Sequence, residues 1–415
     1  MAWRWLSPTT SGRAPTARNM HASAIFSGEL FVVGGWNGQT AFHDAFALDL
    51  LTFRWRELAL RGDGTLENRA LFGHAASERR LFVHGGLSPT NLNDIRSDLV
   101  ALDPTTGQLR QVSTTGDGPG TIARHAIAEK DDALWVFGGW DGKRWLDTTY
   151  VLRLGADALS GRWERVETGG FTPYGRTHSC LLAMPAPSAH LMLYGGGDAN
   201  TDFKSVYALD VRASYWERMT NVTGTEVALS QHACTLLPRP GGSVSIAAHG
   251  GFGGTEGRTD QSGDRQSDLR LLPLERKAWE WVAPRALHAP NSSRMGHSMD
   301  AVNSSCLVVF GGSLGGGKHA ADALLAVPNS LHSRHAREDA EGPVDKVAGD
   351  EPRGSGAMLA DEDLARSGSD AGEAPEEVVL RTMRTSDKKK PKARRGKKKK
   401  RKDALLEGAG EKREL

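Results

Sequence analysis

The stretch FVVGGWNGQT, residues 31–40, decides the fold. An apolar run, Phe31-Val32-Val33, ends in two glycines and a tryptophan. The phrase returns as LFVHGG (81–86), LWVFGGW (134–140), LMLYGGG (191–197), IAAHGGF (246–252) and LVVFGG (307–312). A lone Gly-Gly is any tight turn. Six of them, each closing a short apolar run, are an internal repeat. Taking the second glycine of each pair as a ruler gives Gly35, Gly86, Gly139, Gly196, Gly251 and Gly312, with spacings of 51, 53, 57, 55 and 61 residues.

Other features keep phase. A histidine in a small-residue strand precedes each apolar run: His21, His74, His125, His178, His232 and His297. An apolar strand follows each pair: AFALDL, LVALDP, YVLRLG, VYALDV, LRLLPL and ALLAVP. A tryptophan strand closes most units, at Trp55, Trp163, Trp216 and Trp279 or Trp281, with Leu109 in that place in unit two. Each unit therefore reads as four short antiparallel strands, a to d, and six such sheets packed radially make an all-β, six-bladed β-propeller. The sixth unit lacks its own strand d. The N-terminal MAWRWLSPTT has that character through Trp3 or Trp5, so the N-terminal strand is expected to complete the last blade and protect its edge.

Over roughly residues 1–328 the chain resembles the kelch-repeat family, on the Gly-Gly pairs, the strand-a histidines and the spaced tryptophans. The resemblance implies a partner-binding face at the end where the d→a and b→c connections open. There, arginines precede strand a at Arg18, Arg69, Arg124, Arg176 and Arg294, and a ring of guanidiniums favours an acidic or carboxylate ligand. The alternative is structural: bonds to loop carbonyls or pairs with Asp49, Asp103 and Asp210. The b→c loops carry Trp36, Trp140, Lys143, Arg144 and Trp145, and unit two offers Asn91 and Asn93. Tryptophan and arginine are enriched at binding hot spots, although Trp can instead fold between blades. The histidines, repeated by architecture, are expected to pack rather than bind.

The three cysteines, Cys180, Cys234 and Cys306, form no CxxC pair and are odd in number, so reduced, buried thiols are expected rather than a disulfide or zinc site. The unit-five insert spaces Glu256, Asp260, Asp264 and Asp268 every fourth residue. This is similar to the Glu-xxx-Asp-xxx-His iron pattern of nitrile-specifier-type kelch proteins, but Asp264 stands where that pattern has histidine, and a solvated loop is the preferred reading. Neither the tyrosine, cysteine and histidine set of radical copper oxidases nor GxSxG or HExxH appears. No cofactor or enzymatic role is expected.

Beyond about residue 328 the period ends. Residues 338–377 hold 13 acidic and 3 basic side chains, net −10, and the linker 329–380 is expected to be disordered. In 381–415 the sign reverses: residues 381–402 carry 14 basic residues and one acid. Two clusters, Lys388, Lys389, Lys390, Lys392, Arg394 and Arg395, then Lys397, Lys398, Lys399, Lys400, Arg401 and Lys402, resemble nuclear-localisation signals read by an importin-type receptor. The same charges could hold RNA or DNA phosphates without sequence preference. No membrane-length apolar run or signal peptide is apparent, and the terminal KREL is set aside. The expected protein is a monomeric nuclear scaffold, with nucleolar retention as an option, that binds a protein or peptide, acidic ones included, at the propeller mouth. The alternatives are a cytoplasmic location, a nucleic-acid-associated protein, or a substrate receptor of a ubiquitin ligase.

Overall fold

A computed structural model describes residues 3–67, 69–224, 227–239, 241–253, 269–274, 279–281, 286–287 and 293–328. The described residues contain strands and turns and no helix. Blade one consists of Ala22–Phe26, Glu29–Val33, Ala45–Asp49 and Arg54–Leu58, paired antiparallel in that order. Blades two, three and four repeat it, from Gly73–Ala76 to Gln108–Gln111, Ala126–Lys130 to Ser160–Val166, and Cys180–Ala183 to Tyr215–Arg218. Blade five has Ala233–Pro238, Val244–His249 and Leu269–Pro273, followed by Trp279–Trp281. Blade six has Ser298–Asn303, Cys306–Phe310 and Ala323–Pro328, and Trp3–Leu6 pairs antiparallel with the last of these. The N-terminal strand therefore completes the ring.

The second glycine of every pair has φ between 86° and 101°. A Cβ there would lie 2.7–2.9 Å from the Cβ of one strand-a residue in the same blade: His21, Phe72, His125, Ser179, His232 or His297. No side chain fits so close, so each buried strand b ends on glycine. The same contact corrects the histidine register. His74 and His178 do not share the position of the other four; Phe72 and Ser179 hold it.

Among the described residues, blades interlock at five junctions through the residue just before the Gly-Gly. Trp55 packs on Phe310, Trp163 on His84, Trp216 on Phe137 and Trp5 on His249, with ring centroids 4.8–5.2 Å apart. Each is a strand-d tryptophan against the preceding blade. Leu109 is buried in one core cluster with Val33, the small residue before the first Gly-Gly. Unit two thus lacks its tryptophan where the opposing side chain lacks a ring.

Each d→a connection also runs parallel to strand d of the following blade, as in Ser113–Gly116 beside Ser160–Val166. The pairing recurs at Ser11–Gly12, Gly169–Gly170, Val222–Gly224 and Ala286–Leu287, and as a bridge from Arg61 to Gln108. It covers the outer edge of the blade. Gly170 permits the close approach: its φ is +83°, and a Cβ would lie 2.1 Å from the Trp216 carbonyl oxygen.

Candidate functional site: the propeller mouth

The two sets of loops meet at one end. Asn19 bridges Trp36, Ala123 bridges Trp140, and Thr177 bridges Gly197, each joining a d→a to a b→c connection. They surround a central cavity of about 590 Å³ lined by the six a strands.

Arg18, Arg69, Arg176 and Arg294 are fully buried beneath these loops. Each donates from Nη1 to the carbonyl of the first glycine in its own blade's pair: Gly34, Gly85, Gly195 or Gly311. Three also pair with the aspartate just before strand c, Arg18 with Asp44, Arg69 with Asp98 and Arg294 with Asp322. In blade four Ser205 holds that place. Arg176 stacks instead on Phe203 and Tyr207, 4.2 and 5.4 Å from the ring centroids, and burial lowers its pKa to about 10. These four arginines are struts between strand a and the Gly-Gly turn, inaccessible to a ligand. Their carboxylates are not those of the repeated ALD phrase. Asp49, Asp103 and Asp210 accept two backbone N–H bonds each in the c→d turn.

Arg124 is out of phase with the four. Ile122 takes the strut position in blade three, with Thr148 in place of the aspartate. Arg124 belongs to another set: Met20, Leu71, Arg124, His178, Gln231 and Gly296, all with φ between 51° and 63°. Backbone bonds link neighbours in this ring, from Met20 N–H to Gly296 O, Arg124 to Leu71, His178 to Arg124 and Gly296 to Gln231, at 2.7–2.9 Å. All six line the central cavity. Arg124 has no carboxylate partner among the described residues, and its Nε is buried without a hydrogen bond. Desolvation lowers its pKa. Its guanidinium lies 6.0 Å from the centroid of the half-buried Trp140. Desolvation, and then the Arg124 charge, hold His178 down at about 3. The neck of the cavity thus carries one positive charge and a ring of neutral groups.

Beside the neck, between blades three and four, Arg144, Trp145, Tyr174, Asp198, Asn200 and Phe203 line a rim cavity of about 540 Å³. Trp145 is 39% exposed and Tyr174 75%. Arg144 is exposed and within 3.5 Å of Asp141. Trp36 is half-buried and does not line this groove. Asn91 is exposed on the hairpin of Leu87–Ser88 with Asn91–Ile95, where its Oδ1 accepts from the Asn93 N–H. Tyr174 and Phe203 were not apparent as site residues in the sequence. For Tyr174 the signal lies in FTPYGR, where it precedes the strut Arg176 by two, and Arg176 Nε donates to its carbonyl; Phe203, in TDFKS, carries no such signal. The insert carboxylates Glu256, Asp260, Asp264 and Asp268 and all basic tail residues lie outside the described residues.

The histidine reading as packing groups fits their surroundings. His125 meets His84 at 3.1 Å, His297 meets His249 at 2.9 Å, and His21 meets Ser298 at 2.9 Å. The cysteine expectation is overturned: Cys180 and Cys234 form a disulfide between blades four and five, while Cys306 is free and buried. One blade period separates the pair in sequence, and the ring places their strands side by side.

The family model described as the KLHDC2/KLHL20/DRC7 Kelch-repeats domain matches residues 1–97 and 69–251. The chain is 26% identical over 325 residues to an Arabidopsis thaliana acyl-CoA-binding domain-containing protein 4, covering 74% of this chain and 45% of that protein. It is 28% identical over 201 residues to a rat Rab9 effector protein with kelch motifs, covering 46% and 52% respectively. It is 24% identical over 284 residues to a Thlaspi arvense N-(sulfonatooxy)prop-2-enimidothioate sulfolyase, covering 62% and 80%. The chain thus spans about half the length of the first two.

Proposed function

The chain belongs to the kelch-repeat family of β-propellers, and on that premise we propose that its mouth docks a peptide carrying an acidic group beside an aromatic or apolar one. The observation that carries this reading is Arg124, a cation at the cavity neck with no acidic partner among the described residues. An acidic group arriving there gains a charge-assisted hydrogen bond in a partly desolvated setting. The adjacent groove of Trp145, Tyr174 and Phe203 supplies aromatic area of the kind that dominates interfaces. The role is one of binding, and the sulfolyase activity in one relative's name is left with that relative.

The test is an affinity capture by the full chain, compared with Arg124→Ala and Trp145→Ala/Tyr174→Ala. Loss of the same partner from both variants, with melting temperatures unchanged, supports the reading. Retention of that partner by both moves the site away from the mouth.

The basic run of residues 381–402 supports a second proposal, nuclear delivery through an importin-type receptor. Its deletion should move the chain from nucleus to cytoplasm. Salt-sensitive RNA binding lost with the same deletion would favour a nucleic-acid role for the tail instead. Among the described residues no helix is long and apolar enough to cross a membrane.

A further inference from the structure

Neighbouring a strands meet around the channel by a simple rule. Side chains alternate along a strand, so one set leans toward the next blade and the other leans back. The seam shows it: Ser298 of blade six faces His21 of blade one at 2.9 Å, and Asp300 faces Ser23 at 2.6 Å. By the same rule Cys180 of blade four faces two residues of blade five, His232 and Cys234, which alternate onto one side of their strand. The Cα atoms of the cysteines are 6.1 Å apart. His232 Nε2 lies 3.3 Å from Cys180 Sγ, and the three donor atoms are all within 4.8 Å of one another. Cys180 and Cys234 are partly exposed and line the central cavity, whereas Cys306 is fully buried elsewhere.

We propose that Cys180, Cys234 and His232 form a site for a soft divalent cation, zinc by preference, on the channel wall, open when the thiols are reduced and closed when they are joined. Two thiolates and an imidazole are the donors zinc favours, and three protein ligands leave a fourth tetrahedral position facing the cavity. A neutral imidazole offers a ring-nitrogen lone pair to such a cation, and His232 Nε2 is the atom that faces Cys180 Sγ. The Nδ1 atom of His232 is buried without a hydrogen-bond partner, and Tyr194 packs edge-on to its ring at 5.0 Å, fixing its orientation.

The two states exchange through a small-molecule thiol. Two equivalents of RSH cleave the Cys180–Cys234 bond, giving RSSR and two cysteine thiols, so the disulfide gains two electrons and two protons. Zinc binding then displaces both thiol protons without further electron transfer. Oxidation and cation binding therefore compete for the same sulfurs.

The test uses the full chain and Co²⁺ as a spectroscopic stand-in for zinc. After reduction and removal of the reductant without air, about one Co²⁺ per chain should bind with thiolate-to-cobalt charge-transfer absorption, bleached by an equivalent of Zn²⁺. The oxidised chain should show none of that absorption, a comparison that needs no substitution. Cys180→Ser and Cys234→Ser should abolish the band and Cys306→Ala should leave it. His232→Ala should weaken cobalt binding at least about tenfold, a magnitude comparable to the effect of disturbing a ligand's support. No thiolate band in the reduced chain, a band that survives oxidation or the loss of Cys180, or unchanged affinity in His232→Ala would each overturn the assignment.

Discussion

A drop from pH 7 to pH 6 should destabilise the propeller by at least about 3 kcal/mol. The main cause is five buried imidazoles, His21, His84, His125, His232 and His297, each at most 7% exposed; His74 and His178, lowered by burial to about 4 and about 3, add in the same direction. Burial lowers all five pKa values, His84 to about 4, His232 to about 3 and the rest well below the ordinary 6.5. A pKa depressed on folding leaves stability intact above the unfolded value and erodes it as pH falls from there toward the folded value. Between pH 7 and 6 the folded imidazoles stay neutral while the unfolded ones gain protons. That difference is worth about 0.7 kcal/mol per histidine, about 3.5 kcal/mol for five. The size depends on the unfolded pKa alone, because every folded value lies below the window. Asp300, raised to about 6 by burial, opposes the trend by about 0.4 kcal/mol. Urea unfolding at the two pH values, with equal slopes against denaturant, reads the result directly. A change under about 1 kcal/mol would mean that the imidazoles carry protons in the fold, and the account of them as neutral packing groups would fail.

Arg294→Ala should cost about 1–3 kcal/mol, since it leaves the Gly311 carbonyl without its buried donor whereas water reaches the 41% exposed Asp322, while Arg124→Ala should leave the urea midpoint almost unmoved and affect partner capture. Gly170→Ala should destabilise by about 2 kcal/mol or more, because its positive φ and the Trp216 carbonyl both reject a Cβ. Trp216→Ala removes a fully buried ring and should cost about 3–5 kcal/mol. Leu109→Trp should cost about 1–3 kcal/mol by overpacking, although it restores the tryptophan found in the other units. Urea unfolding checks all of them.

The architecture was legible because it repeats. Gly35, Gly86 and their equivalents mark a backbone contact that tolerates no side chain, so the fold left the same trace in every blade. The borrowed N-terminal strand could be read for a related reason: one unit lacked a tryptophan strand and Trp3 and Trp5 supplied one. The mouth was less legible because it is defined by departures from the repeat. Arg124 looked like a fifth member of a series when only sequence neighbours were compared. Two residues of shift moved it from strut to neck, and that shift is set by the β-register, which adjacent letters do not record. His74 and His178 misled in the same way. Tyr174 and Phe203 belong to unequal loops, and only the ring brings them beside Trp145. The disulfide escaped because its partners occupy successive turns of the ring, a proximity that becomes visible only once the rule of alternating side chains is applied between blades.

The pairing of Trp3–Leu6 with Ala323–Pro328 has a consequence for how the chain folds. During synthesis Trp3–Leu6 must wait for Ala323–Pro328 to be made. More than three hundred residues separate the partners, and contacts of such range form slowly. Until they form, blade six has an open edge, and Trp3 and Trp5 have no core to enter. The ring is therefore latched by a late event. A bulky group fixed near Trp3, or a second chain offering its own Ala323–Pro328 strand, would intercept the latch and turn one closed propeller into an open or exchanged one.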